Sequence, residues 1–391
     1  MSPRWSRSEK GPKRAGGKEF RRLLAAQRQV VFFAEGGSYA PHLVPIAEAI
    51  VARGVPVAYL TCDASDPTFD LESDRLRVFD VGTGTKRSFL MQNLEARVVV
   101  STTPRLGTIH LPRSVNASSL GTQYVHVFHS MVSTHMIYDA DAFDGYDVMF
   151  CVGPFMFDEI RAREQAAGLP SKRLVEHGFT RLDSIRARKA TSTIQREDDL
   201  VVVAPSWGPT CIIESCGPAV VRALRDAGMR VIVRPHPMTI SRSATAVEQL
   251  AAAFATDVGV EFETDVTSQD SLERAGMMVS DWSGAALEYA FADDRPVLFV
   301  DVPRKVNNSG YEALGITPFE VSVRSRIGAV CAPDRLDQLA EMVVAARAAR
   351  EDRAAEIAEV RRQSVFNVDH SVDTAAEEIV AMTARSSERS R

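Results

Sequence analysis

Residues 279–290 read Val-Ser-Asp-Trp-Ser-Gly-Ala-Ala-Leu-Glu-Tyr-Ala, the end of an apolar strand, a small polar loop and a helix start. A helix that begins at Ser283-Gly284 presents unpaired backbone N–H groups and the positive end of its dipole, which is the chemistry of phosphate binding. Glu288, one turn further on, is placed to accept hydrogen bonds from a ribose diol, with Asp281 beside the helix start. The alternative is that Asp281 and Ser283 are ordinary N-caps and Glu288 a surface acid. A second candidate is Arg234-Pro235-His236-Pro237. His236 lies between two prolines directly after a β-favouring run, so its backbone is restricted. An imidazole there can donate to a phosphate oxygen or a leaving group, and Arg234 beside it can neutralise phosphate charge. In the first half of the chain His129 follows the run Tyr124 to Phe128 and is the candidate general base. Ser130, His135 and Arg181 are candidate acceptor-site residues, and Ser206 and Trp207 are candidates for hydrogen bonding to and stacking on a nucleotide. A pairing of Arg181 with Asp183 as a structural strut is the competing reading for that arginine.

These residues need elements to hold them. Gln29 to Ala34, Val55 to Leu60, Leu76 to Val81, Ala96 to Ser101, Tyr124 to Phe128 and Tyr146 to Val152 read as short strands separated by helical or loop segments. A second series follows at Leu200 to Ala204, Arg230 to Val233, Gly259 to Thr264, Met277 to Val279 and Pro296 to Val300, with helices between. Strands that alternate with helices imply parallel, covered sheets. Ligands of such sheets bind beyond the carboxyl ends of the strands, where the candidates above fall. The expected fold class is α/β with two Rossmann-like domains facing an interdomain cleft and C-terminal helices. The expected divisions are a basic disordered arm over 1–28, domains over 29–188 and 197–365, and a C-terminal helix over 366–391 near the domain junction.

Composition supports two ordinary domains. The chain has 391 residues, 45% hydrophobic and 25% charged, enough apolar material for two cores and far from the signature of disorder. No run approaches the roughly 20 apolar residues that span a bilayer. Five cysteines without CxxC spacing argue against a disulfide framework or a zinc site. Residues 1–28 carry nine bases against two acids, a net +7, while the whole chain is −5. Such an arm is suited to anionic lipid headgroups, with a solvated tail as the plainer alternative. Neither a GxGxxG nor a GxxxxGK[ST] segment is present, which weakens dinucleotide and ATP readings. The absence of a GxSxG elbow argues against a hydrolase.

Taken in order, His129, Gly178-x-x-Arg181-x-Asp183, Ala204-Pro205-Ser206-Trp207, Arg234-Pro235-His236-Pro237 and Ser280-Asp281-Trp282-Ser283-Gly284 resemble the motifs of the CDP-glycerol glycerophosphotransferase family of teichoic-acid primases and polymerases. The likeness runs from about Val125 to Val300, and Phe366 to Asp373 looks like the family's closing segment. Pro303 to Asn308 is an additional basic loop, and no lysine follows Phe128-His129-Ser130. The resemblance implies a GT-B-like fold and transfer of glycerol phosphate, or a related polyol or sugar phosphate, from a CDP-activated donor to a hydroxyl of a glycan or lipid-linked acceptor. It implies His129 as catalytic base, His236 as the second essential histidine, and Ser283 and Gly284 as the phosphate-holding helix start. No cofactor, metal or nucleic-acid partner is expected, and the expected location is the cytoplasm, at the inner membrane face where the arm engages lipid. The rival readings are a GT-B glycosyltransferase using a nucleotide sugar, a sugar-nucleotide 2-epimerase-like enzyme, and a non-catalytic binding protein.

Overall fold

The structure is a computed structural model that describes residues 14–265 and 268–388. The first thirteen residues of the basic arm lie outside the described residues. The rest of that stretch is folded: the helix Gly17–Arg21 buries Phe20, whose ring meets Phe79 edge-on at 5.5 Å, and Ala15 accepts the Asp80 N–H at 2.8 Å. The expectation of a disordered arm therefore fails over 14–28, because one apolar side chain in the basic stretch has a place in the core.

Seven strands build the first sheet: β1 Val30–Ala34, β2 Val57–Thr61, β3 Leu76–Asp80, β4 Val98–Ser101, β5 Gln123–Val127, β6 Val148–Cys151 and β7 Arg173–Glu176, in the order β3-β2-β1-β4-β5-β6-β7. The second sheet holds β8 Glu197–Val203, β9 Arg230–Val233, β10 Val260–Phe262, β11 Ala275–Ser280, β12 Val297–Val300 and β13 Gly328–Cys331, in the order β10-β9-β8-β11-β12-β13. Every pair in the second sheet is parallel. β1, β2 and β4 are buried along their whole length, as parallel strands covered on both faces must be. β7 and β13 were not evident as strands in the sequence. Each is four residues long at a sheet edge, too short to show a period. β8 begins earlier than its apolar run, at Glu197, because Arg230 and Arg274 pair with that carboxylate.

By backbone contacts the chain forms two compact units, 1–127 with 143–149 and 372–391, and 128–142 with 150–371. In the first, the helix Ser371–Glu388 is tied to the helix Ala40–Ala52 through Arg53, which caps that helix and pairs with Asp373 at 2.8 Å. In the second, Val201, Val203, Val231, Val233, Met277 and Val279 of three neighbouring strands pack with Val220, Leu224 and Leu250 of the covering helices. Burial of each such side chain contributes roughly 1.5–3 kcal/mol before entropy is counted. That core holds β8 and β11 side by side, and there the strand order reverses direction. The reversal opens space beyond their carboxyl ends, the place where open α/β sheets bind ligands. Among the described residues no helix is long and apolar enough to cross a membrane, and none of the five cysteines forms a disulfide.

Candidate functional site

All twelve candidate residues belong to the second unit. β11 ends at Ser280, and the helix Gly284–Asp293 starts four residues later with Ser283 as N-cap, its Oγ accepting the Ala285 N–H at 3.3 Å. The segment Phe128-His129-Ser130 reaches the same place. A Cβ built on Gly284 would lie 2.5 Å from Ser130 Oγ, so a side chain at 284 would have to push that hydroxyl aside. Glycine here permits a close approach rather than an unusual backbone angle. His129 is half-buried, with its ring 6.2 Å from that of Tyr138 in an edge contact.

Asp281 has a different duty from the one its position suggested. Its carboxylate is buried and accepts the Ser206 N–H at 2.7 Å, the Trp282 N–H at 2.6 Å and the Ile212 N–H at 3.0 Å. Burial pushes its pKa up while these bonds act against the rise. It clamps the loop after β8 to the end of β11 and presents no lone pair to a ligand. Ser206 is part of that clamp, through its backbone and its side chain alike. Arg234 is similarly committed: one nitrogen donates to Glu263 at 2.6 Å and Ser271 at 3.1 Å, and another to the Ser268 carbonyl at 2.8 Å. The guanidinium braces Glu263, Ser268 and Ser271 rather than standing free for phosphate.

His236 lies beside Trp207, with ring centroids 6.3 Å apart. It is the N-cap of the helix Pro237–Arg242, and its Nδ1 accepts the Met238 N–H at 3.0 Å. A neutral ring that accepts at Nδ1 carries its proton on Nε2. Burial, and secondarily the charge of Lys305, pull its pKa down to about 4, so at neutral pH the ring is an uncharged donor. Trp207 is not a bare stacking platform. Lys305 Nζ lies 3.9 Å from its ring centroid and the Arg242 guanidinium carbon 5.2 Å.

Arg181 pairs with Glu288 at 2.8 Å, not with Asp183. The Asp183 carboxylate holds the chain at Asp369 and Ser371, accepting both backbone N–H groups at 2.8 Å and the Ser371 hydroxyl. Glu288, expected to accept hydrogen bonds from a ribose, is thus engaged by a guanidinium. His135 is buried, its Nε2 3.1 Å from the Ile316 carbonyl and its Nδ1 3.2 Å from Glu159. Burial works against its charge, yet Glu159 and the Ile316 carbonyl outweigh it and hold the ring above its usual pKa. His135 is therefore a strut beneath the loop, remote in character from an exposed acceptor contact.

Sequence reading passed over the two buried glutamates of that strut. Glu159 Oε2 accepts the Thr134 N–H and hydroxyl, each at 2.6 Å. Glu320 takes the Ser133 N–H at 2.9 Å and the Ser133 hydroxyl at 3.0 Å. Their signal was a carboxylate on the apolar face of each helix, Met156-Glu159-Ile160 and Phe319-Glu320-Val323. Burial above all pushes Glu320 up to about 7.

No protein-family model matches the chain, and no curated protein sequence does. Solved structures do. The wall teichoic acid polymerase TagF soaked with CDPG is similar at 12% identity and a TM-score of 0.56, over 91% of this chain and 89% of that one. A UDP-N-acetylglucosamine 2-epimerase, so described, from Listeria monocytogenes is similar at 11% identity and a TM-score of 0.61, over 92% and 97%. MurG from Acinetobacter baumannii is similar at 14% identity and a TM-score of 0.50, over 90% and 99%. At such identities the likeness shows the fold, and the chain has a GT-B-like fold of two parallel α/β sheets with helices at its C-terminal end.

Proposed function

We propose that the protein is a transferase that moves glycerol phosphate, or a related polyol or sugar phosphate, from a CDP-activated donor to a hydroxyl of a glycan or lipid-linked acceptor. The observation that carries the reading is the approach of the His129-Ser130 segment to Gly284 at the helix start beyond β8 and β11. It brings a candidate base beside a candidate phosphate site. The order of sequence motifs and the similarity to a teichoic acid polymerase support the same reading.

In this scheme the donor's distal phosphorus lies against the first turn of Gly284–Asp293. An acceptor hydroxyl attacks it as His129 takes the hydroxyl proton. A new P–O bond forms, the bond to the bridging oxygen breaks, and that oxygen leaves with its electron pair as CMP. His236, a neutral donor through Nε2, hydrogen-bonds the departing phosphate, and its proton stays on the ring. Positioning and fixed donors of this kind account for most of the acceleration in phosphoryl transfers. The basic residues of the chain start are read as a contact with anionic lipid that brings the enzyme to its acceptor.

The structural similarity to an epimerase favours a second reading, a nucleotide-sugar enzyme. Product analysis separates the two. With CDP-glycerol, CDP-ribitol, UDP-sugars and GDP-sugars offered in parallel, release of CMP with a new phosphodiester is the expected result. Release of UDP or GDP with a glycosidic bond, or epimerisation without an acceptor, would refute it.

A further inference from the structure

We propose that Lys305, on the loop after β12, is the cation that receives the diphosphate of the donor, acting together with His236 and the first turn of Gly284–Asp293. The inference rests on the donor site described above, but assigns it a residue that the motif order does not contain.

The loop is pinned on both sides of Lys305. Before it, Trp282 Nε1 donates to the Val302 carbonyl at 2.8 Å, and Trp282 is itself covered by the Arg324 guanidinium at 3.6 Å. Beyond it, the Asn307 and Asn308 N–H groups both donate to the Met136 carbonyl, at 3.1 and 3.2 Å, while their side chains donate to Ile137 at 2.6 Å and to His135 at 2.8 Å. The lysine therefore has a fixed root. Its stem places the ammonium over Trp207, next to His236.

Charge at this point is unbalanced. Lys305 makes no ion pair with a carboxylate among the described residues. Asp281 and Cys211 act on its charge, His236 feels it in turn, and the Arg242 guanidinium lies over the same Trp207 ring. Asp281 is the natural counter-ion, yet its oxygens already accept three backbone N–H groups. Burying an ammonium without its own anion is costly, and burial draws Lys305 down to about 8. An ammonium, a neutral imidazole that donates through Nε2 and a helix start, gathered beyond the same strand ends, suit an anion with several oxygens. Phosphate oxygens bonded by charged donors fit that description, and a diphosphate supplies enough of them for all three.

Titration calorimetry tests the assignment on the full chain, with CDP, UDP and GDP as probes, at pH 8.5 in two buffers of different ionisation enthalpy. An anion at Lys305 restores its proton, so the wild type should take up somewhat under one proton per probe bound. Lys305→Met should bind every probe about tenfold or more weakly and take up none. Lys305→Arg, whose charge does not titrate, should keep the affinity and lose the uptake. Melting curves of both variants show whether they fold.

Wild-type affinity in Lys305→Met, or unchanged proton uptake in either variant, would overturn the proposal, as would failure of the wild type to bind any probe. Weakened binding in Lys305→Met together with a UDP-sugar as the true donor upholds Lys305 and sinks the CDP reading. CMP release from a CDP donor with Lys305→Met binding as wild type does the reverse.

Discussion

The ring of His236 accepts the Met238 N–H at Nδ1, and with that bond it both starts the helix Pro237–Arg242 and sets its own tautomer. The two duties can be separated by substitution. Asparagine is among the best N-caps, whereas alanine forfeits about 1 kcal/mol at such a position. His236→Asn should therefore melt within a few degrees of the wild type while turnover falls by about two to three orders of magnitude, the usual loss of a preorganised donor. His236→Ala should lose both activity and stability. Because the imidazole titrates only near pH 4, its donor role should not contribute to pH–rate behaviour between pH 5 and 9. Equal stability loss in the two variants would remove the capping argument, and wild-type turnover in His236→Asn would remove the catalytic one. His236 was legible in the sequence, since two prolines around a post-strand histidine mark a fixed ring. The duties of Asp281, Arg234 and Glu288 were not. Asp281 and Arg234 directly follow strands and Glu288 lies inside a helix, and the partners that occupy them are 69 to 107 positions away for Asp281 and Glu288, and 29 for Arg234 with Glu263.

At the scale of elements, the segment 128–138 is held from below by two helices, Pro154–Ala167 through Glu159 and Phe319–Ile327 through Glu320. Glu320 is pushed up to about 7 by burial, so the folded state holds its proton more tightly than the unfolded chain does. The stability it supplies is complete below about pH 4.5 and is lost as pH rises through 7. Glutamine can keep both contacts with Ser133, its oxygen accepting the N–H and its amide donating to the hydroxyl. Glu320→Gln should thus gain on the wild type between pH 5 and pH 8, by up to about 3 kcal/mol in urea unfolding. A difference between the two proteins that is the same at both pH values would show that Glu320 does not titrate with folding. The alternation of strands and helices was readable because buried parallel strands are runs of Val, Ile and Phe, as in Val30–Ala34. The segment from Thr180 to Thr191 was not read as a helix of its own, since its polar faces are satisfied by ion pairs such as Arg188 with Asp270 and Glu273.

Across the whole molecule, the two parallel sheets each reverse strand order once, between β1 and β4 and between β8 and β11. The second reversal gathers Ser206, Trp207, His236, Ser283 and Gly284 near the ends of neighbouring strands, although up to 78 positions separate them in the chain. That grouping follows from topology, which single-sequence patterning reached only through the order of motifs. Membership of the last helix in the first unit was not legible at all, because it depends on contacts such as Arg53 with Asp373 that no local pattern encodes. The central claim is that an imidazole at position 129 accepts the attacking hydroxyl's proton beside a phosphate held at Gly284. Its most direct test is the binding constant and turnover of His129→Ala with the CDP-activated donor, measured on the same preparation. The account predicts donor affinity within about threefold of the wild type and CMP release lowered by about two to four orders of magnitude. Parallel loss of affinity and turnover, or turnover that survives the substitution, would contradict it.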